Sequence, residues 1–119
     1  MSEFRTGRRH AVLLTLVTLL AAGALSVLGP TGSAQAASTR TWERLAACES
    51  SGRWHINSGN GYFGGLQFSG STWRSFGGGR FARLAHRASK PEQIKVAERV
   101  RRHQGWGAWP ACSSRLGLR

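Results

Sequence analysis

Apolar side chains recur every three or four residues near residue 45, which is the spacing of one helix face. The positions on this face are Trp42, Leu45, Ala46 and Glu49. Thr41 is a suitable N-cap and Gly52 a suitable residue after the helix end, so the pattern predicts a helix over about 41–49. An acid on the apolar face is a candidate for chemistry, although most glutamates near a helix end only cap the helix or form a salt bridge.

After this helix the chain becomes rich in glycine and aromatic residues. Asn60-Gly61 lies between two apolar runs, which is a strong signal for a β-hairpin with its turn at 58–61. Gly64 and Gly65 weaken the second strand of such a hairpin. The segment therefore predicts a small, irregular hairpin.

Two short helical segments are predicted next. The first covers 69–76, with Ser69 or Ser71 as its cap and Trp73 toward the core. The second consists of one or two helical turns within 80–88.

The last part of the chain predicts one longer helix. A capping box at Ser89 and Glu92 begins it, and Gly105 ends it. The aromatic segment 106–112 is interpreted as extended, and the last seven residues as frayed. These elements together predict an α+β fold, mainly helical with one short hairpin, without internal repeats or a linker to a second domain.

Residues 1–36 have the pattern of a secretory signal peptide. A basic start precedes an apolar run over 11–29, and Ala34-Gln35-Ala36 fits a cleavage site, so we expect cleavage after Ala36. Residues 37–119 then form one secreted domain, extracellular or associated with the cell wall. Two alternatives stay open: the apolar run is nearly long enough for an uncleaved anchor, and an Arg-Arg pair near the start is compatible with twin-arginine export.

The chain has two cysteines, Cys48 and Cys112. A disulfide suits an exported domain of this small size. A bridge between the two closes a loop of about 65 residues and stabilises the fold by roughly 4 kcal/mol in the chain-entropy model. It also holds the neighbouring Glu49 firmly, as a catalytic acid requires.

Residues 37–119 carry 14 Lys and Arg residues against four glutamates and no aspartate, a formal charge near +10. A field of this size favours polyanionic partners. Because export argues against intracellular nucleic acid, anionic polymers of the cell wall are the preferred partner. A membrane-active cationic protein is the alternative, but that class favours a basic helix with a broad apolar face, and the last predicted helix has a narrow one. We therefore expect no stable membrane insertion after cleavage.

Aromatic and amide side chains suggest a sugar site, because sugars stack on aromatic rings while their hydroxyl and N-acetyl groups bond to amides. The candidates are Trp54, Asn57, Asn60, Tyr62, Gln67, Trp73 and Gln104. Five tryptophans in so small a domain are also explained by a hydrophobic core. The histidines lack the spacing of metal ligands, so neither a metal nor another cofactor is predicted.

Four segments together resemble the resuscitation-promoting factors, which are secreted, lysozyme-related, transglycosylase-like domains of actinobacteria. The matching segments are 42–52, 56–68, 71–73 and 104–112. The resemblance implies a small lysozyme-like fold that cleaves the β-1,4 bond between N-acetylmuramic acid and N-acetylglucosamine in peptidoglycan, with a role in growth or in resuscitation of dormant cells or spores. The family's catalytic glutamate, beside its disulfide cysteine, matches Glu49. Ser51 and Phe63 differ from the glycine and tyrosine that are commoner in the family, and Phe63 lacks a hydroxyl.

The predicted substrate-binding residues are Asn60, Tyr62, Gln67, Thr72, Trp73 and Gln104. By the resemblance, Thr72 and Gln104 match positions that line the family's sugar groove, and Tyr62 and Gln67 match its hairpin edge. The other two come from the amide and aromatic set above.

A glycosidase ordinarily uses two carboxylates. The other glutamates of the secreted domain are poor partners, because Glu43 lies on a different helix face, Glu92 belongs to a capping box and Glu98 lies among arginines. A site with one carboxylate fits a lytic transglycosylase better than a hydrolase. The alternative is a glycan-binding or signalling module of the same fold with little turnover. We expect a monomer, and a partner wall hydrolase is compatible with either role.

Overall fold

The structure is a computed structural model that describes residues 35–119. Within this range the elements follow in the order α1 Thr39–Ser50, β1 Tyr62–Phe63, β2 Phe68–Ser69, α2 Gly70–Ser75, α3 Lys90–Gln104 and α4 Pro110–Leu116. Single 3-10 turns lie at Gly78–Arg80, Ala85–Arg87 and Trp106–Ala108. The predicted α+β class, mainly helical with one short antiparallel hairpin, is confirmed.

The predicted signal peptide lies outside the described residues, apart from 35–36. Among residues 35–119, no helix is both long and apolar enough to cross a membrane.

Helix α1 begins two residues earlier than its predicted cap. The hydroxyl of Ser38, and not that of Thr41, caps it by accepting a hydrogen bond from the Thr41 backbone N–H at 3.1 Å. The predicted apolar face is buried, and Glu49 lies half-buried in the last turn of the same helix. The chain leaves the helix through Ser51, which has the left-handed backbone conformation (φ 57°) and is followed by Gly52.

The hairpin turn lies later than predicted. Tyr62 pairs with Ser69 and Phe63 with Phe68, so the turn covers 64–67 and the prediction of a turn at 58–61 is wrong. A β-carbon on Gly64 would lie 2.5 Å from the Gln93 side chain. The turn is therefore packed into the core, where only a residue without a side chain fits.

The one or two helical turns predicted within 80–88 are present as one 3-10 turn, Ala85–Arg87. One prediction about the later chain needs correction. The segment after Gly105 is not extended, because a 3-10 turn is followed by α4, which starts with Pro110, ends at Leu116 and is capped by Gly117 (φ 72°). Proline is favoured at a helix start, where its missing N–H costs no hydrogen bond. The predicted capping box of α3 is confirmed.

Tryptophans form the centre of the core. Trp42 and Trp73 are fully buried and Trp109 is 5% exposed. The Trp42 ring lies 5.3 Å from the Trp109 ring and 5.0 Å from the Trp106 ring. Each of the three buried indole N–H groups has an acceptor at 2.8 to 2.9 Å, as buried polar groups require. The core interpretation is therefore correct for three of the five tryptophans.

The predicted disulfide is confirmed. It joins Cys48 of α1 to Cys112 of α4, whose Cα atoms are 5.8 Å apart and whose positions are separated by 64 in sequence. The bridge ties the helix that carries Glu49 to the last helix of the fold.

We expect Ser51→Gly to raise the free energy of unfolding by up to about 1 kcal/mol, because the left-handed conformation is unfavourable for a residue with a β-carbon and glycine adopts it freely. Urea unfolding measures the change. Ser51→Ala keeps the β-carbon and is the control. Equal stability of the two variants would show that the backbone at Ser51 is not strained.

Candidate active site

The Glu49 side chain is half-buried at the end of α1. Burial raises the pKa of its carboxyl group above the usual value, because the charged form loses contact with water. Its place near the negative end of the helix dipole acts in the same direction. Within residues 35–119 no hydrogen bond or ion pair reaches this side chain. These conditions favour the protonated form, which a general acid needs.

The other glutamates of the described chain are engaged elsewhere. Glu43 forms an ion pair with Lys90. Glu92 accepts a hydrogen bond from the Ser89 N–H at 2.9 Å in the capping box. Glu98 is 7% exposed and accepts hydrogen bonds inside the core.

The Glu49 side chain lines a groove that two adjoining cavities form. The larger has a volume of about 310 Å³ and is lined by Glu49, Tyr62, Gln67, Ala108, Trp109, Pro110 and Ala111. The smaller has about 100 Å³ and is lined by Tyr62, Gln67, Phe68, Ser69, Thr72, Val100, Gln104, Ala108 and Trp109. Four residues line both cavities, so they form one continuous surface, called the groove below. Glu49 is the one carboxylate in this lining among the described residues.

The hairpin forms one edge of the groove. Tyr62 is 50% exposed, so part of its side chain is accessible to a ligand. The Gln67 amide donates to the Gly64 carbonyl at 3.1 Å and accepts from the Asn60 amide at 3.3 Å. Asn60 also accepts from the Tyr62 N–H at 3.0 Å. Asn60 thus does not line the groove but supports the two residues that do.

The structure brings together five of the predicted site residues, and they lie along the groove from Glu49 through Tyr62 and Gln67 to Thr72 and Gln104. Trp73 is different. It is fully buried, packs on Phe68 and donates its indole N–H to the Ala82 carbonyl at 2.8 Å. The predicted role of Trp73 in substrate binding is wrong for this position, because its ring has no exposed surface for a sugar.

Two residues that hold the hairpin in place were not predicted from the sequence. Trp109 lines the groove and donates to the Leu66 carbonyl at 2.9 Å. Gln93 of α3 is fully buried, accepts from the Gly65 N–H at 3.0 Å and donates to the Trp54 carbonyl at 2.7 Å. The sequence does indicate that Gln93 is buried, because it lies four residues before Ala97 and therefore on the apolar face of α3.

None of the histidines in the described residues, His55, His86 and His103, lines the groove. His86 stacks against Phe63, with ring centroids 5.4 Å apart, and its backbone carbonyl contacts the His55 ring. Burial is the main cause that lowers the pKa of His86, and the neighbouring Arg87 adds to it. Within residues 35–119 no three His, Cys, Asp or Glu side chains are grouped as metal ligands. The expectation of no metal or cofactor stays a prediction.

Comparison with known proteins places this architecture in a family. A family model described as a transglycosylase-like domain matches residues 36–112. Resuscitation-promoting factor Rpf1 of Corynebacterium glutamicum is 54% identical over 105 residues, which cover 88% of this chain and 53% of the relative. Resuscitation-promoting factor Rpf of Micrococcus luteus is 50% identical over 117 residues, which cover 98% of this chain and 50% of the relative. The chain thus spans about half the length of these relatives, and it belongs to the resuscitation-promoting factor family.

Proposed function

We propose that this chain is an exported enzyme that cleaves the β-1,4 bond between N-acetylmuramic acid and N-acetylglucosamine in peptidoglycan, as a lytic transglycosylase. The observation that carries the proposal is the half-buried Glu49, the one carboxylate that lines the groove among the described residues. Because these relatives are named resuscitation-promoting factors, we infer that the activity serves growth or the resuscitation of dormant cells or spores.

The groove has the chemistry that a glycan strand needs. The exposed Tyr62 ring offers a stacking surface for a sugar face. The amides of Gln67 and Gln104 and the Thr72 hydroxyl offer hydrogen bonds along the same surface. Tyr62 and Gln67 also line the cavity that contains Glu49, so a strand bound at the hairpin edge extends to the acid.

Cleavage uses the two protonation states of Glu49 in turn. The protonated carboxyl donates its proton to the glycosidic oxygen as the bond from this oxygen to C1 of the muramic ring breaks. The carboxylate that remains accepts the proton of the C6 hydroxyl, and this oxygen attacks C1 of its own ring. The product is a 1,6-anhydro end, no water is consumed, and Glu49 returns to its protonated form.

The geometry supports this sequence over a two-acid hydrolysis. A hydrolase ordinarily places a second carboxylate opposite the acid. In residues 35–119 Glu43, Glu92 and Glu98 are all held in other contacts. We infer that the N-acetyl group of the muramic residue stabilises the positive charge at C1 in place of the second acid.

We expect Glu49→Gln to lower the release of soluble fragments from purified peptidoglycan by roughly 10²- to 10⁴-fold, the usual contribution of a general acid. Mass spectrometry of the fragments identifies their ends. Glu43→Gln is the matched control, because it makes the same change on the same helix at an exposed position.

Each result of this experiment has a distinct meaning. Anhydro-muramic ends from the Glu43 variant, and none from the Glu49 variant, support the proposed reaction. Reducing ends would identify a hydrolase. Wall binding without fragments, from the unmodified protein, would identify a glycan-binding or signalling module of the same fold.

Substitution of Tyr62 separates stacking from hydrogen bonding. We expect Tyr62→Ala to raise KM for glycan fragments roughly fivefold to tenfold, about 1 to 1.4 kcal/mol, since the exposed ring is lost. Tyr62→Phe keeps the ring and retains most of the affinity. Steady-state kinetics on defined fragments measures both. An effect for Phe as large as that for Ala would assign the contribution of Tyr62 to its hydroxyl instead.

We also propose that the positive charge holds the secreted domain on the anionic wall. Residues 37–119 combine 14 basic side chains with four glutamates. Arg40, Arg83 and Arg102 are among the exposed arginines. A field of one sign draws the domain to polyanions that surround its substrate.

We expect wall binding to fall roughly tenfold or more between 0.1 M and 1 M NaCl, over which the Debye length shortens from about 10 Å to about 3 Å. Pull-down with purified walls measures it. The double variant Arg40→Gln, Arg83→Gln should weaken binding at low salt and leave the fragment ends unchanged. Binding that is independent of salt would contradict electrostatic retention.

A further inference from the structure

The backbone N–H of Ala37 donates a hydrogen bond to Oε1 of Glu98 at 2.7 Å. These two residues are 61 positions apart in sequence, so the contact fixes the start of the folded domain against helix α3. Glu98 is 7% exposed, which is unusual for a glutamate. Ala37 is also the residue that directly follows the predicted cleavage site at Ala36.

Glu98 already has two other donors. The indole N–H of Trp42 donates to the same Oε1 at 2.8 Å. The guanidinium of Arg101 donates to Oε2 at 3.2 Å. Arg101 also donates to the backbone carbonyl of Gln35, a residue that cleavage after Ala36 removes. Cleavage after Ala36 therefore changes two contacts near the Glu98 carboxylate: it frees the Ala37 nitrogen and removes the Gln35 acceptor of Arg101.

We propose that cleavage between Ala36 and Ala37 creates an α-ammonium group that forms a buried ion pair with Glu98, and that this pair stabilises the processed domain. In the cleavage step an export endopeptidase adds water across the peptide bond. The hydroxyl goes to the Ala36 carbonyl carbon, and the nitrogen of Ala37 gains a proton and then binds another from solvent. The inference rests on the predicted cleavage site and not on the proposed glycan chemistry.

The geometry suits this change because the acceptor is already in place. The nitrogen of Ala37 lies within hydrogen-bond distance of Oε1 before processing, so a charged donor replaces a neutral one at the same position. Hydrogen bonds between ionised groups are roughly twice as strong as neutral ones. Glu98 then interacts with two cations, the new ammonium and Arg101, which also stacks on Trp106 at 5.2 Å.

The ion pair has a characteristic dependence on pH. An α-amino group has a pKa of about 7.7 to 8.0 in an unfolded chain, and an anionic partner raises this value in the folded state. The stabilisation is therefore complete below about pH 7.7 and is lost as pH rises through the folded-state pKa. The charged groups at this position are Glu98 and Arg101 of α3, and Trp42 of α1 does not titrate.

The full chain with its leader is exported from a bacterial host, and the intact mass of the product identifies its first residue. We expect Ala37. The thermal midpoint is then measured from pH 6.5 to pH 10, and it should fall by on the order of 5 °C across the titration of the ammonium. The α-amine should be acylated at least tenfold more slowly in the native product than in the urea-unfolded product.

Two variants test the partner. Glu98→Gln removes the charge but disturbs a buried network. A glycine inserted between Ala36 and Ala37 is therefore the matched control, because it restores the Ala37 amide and moves the charge by one residue, and its mass confirms where it is cut. Both variants should lose the pH dependence.

A product that starts at another residue would overturn the cleavage on which the inference rests. The same pH dependence with and without the inserted glycine would overturn the ion pair. None of these measurements depends on glycan cleavage, so they are independent of the outcome for Glu49.

Discussion

The fully buried ring of Trp42 connects three parts of the molecule. It packs on Trp106 and Trp109 from the C-terminal segment and donates its N–H to Glu98 of α3. Trp42 lies two turns before Glu49 on the same side of α1. The packing of one aromatic residue thus sets the position of the acid relative to Trp109, which lines the groove. A large buried side chain with a satisfied polar group tolerates little displacement.

The groove is built from segments that are far apart in sequence, and its accuracy comes from contacts behind its surface. The hairpin contributes Tyr62 and Gln67, yet each of its strands has two residues and is not stable alone. Its turn is held instead by Gln93 and by the Trp109 indole. The proposed catalysis by a single acid depends on such support, because a displacement of about 1 Å lowers the rate on the order of a hundredfold.

The sequence predicts features that depend on near neighbours and misses those that depend on distant ones. The capping box of α3 and the apolar face of α1 that includes Glu49 are local patterns, and both were predictable from the sequence. The hairpin turn is set by the fit of Gly64 against Gln93, 29 residues later, which no local pattern contains. Trp73 and Tyr62 lie in similar aromatic, glycine-rich surroundings, yet one is fully buried and the other half-exposed. Composition indicates a sugar site but does not distinguish these two rings.

Cys48, which forms the disulfide, directly precedes Glu49 in sequence. The disulfide therefore also limits how the width of the groove can change. Cys48 joins α1 to α4, and α4 begins with Pro110, which lines the groove beside Glu49. The wall that contains the acid is therefore one covalently closed unit. The opposite wall is the hairpin edge, which only hydrogen bonds and packing hold. If glycan strands bind as proposed, we expect the hairpin edge, and not the disulfide-linked wall, to yield to strands of different bulk, so that the distance from Glu49 to its own wall stays constant.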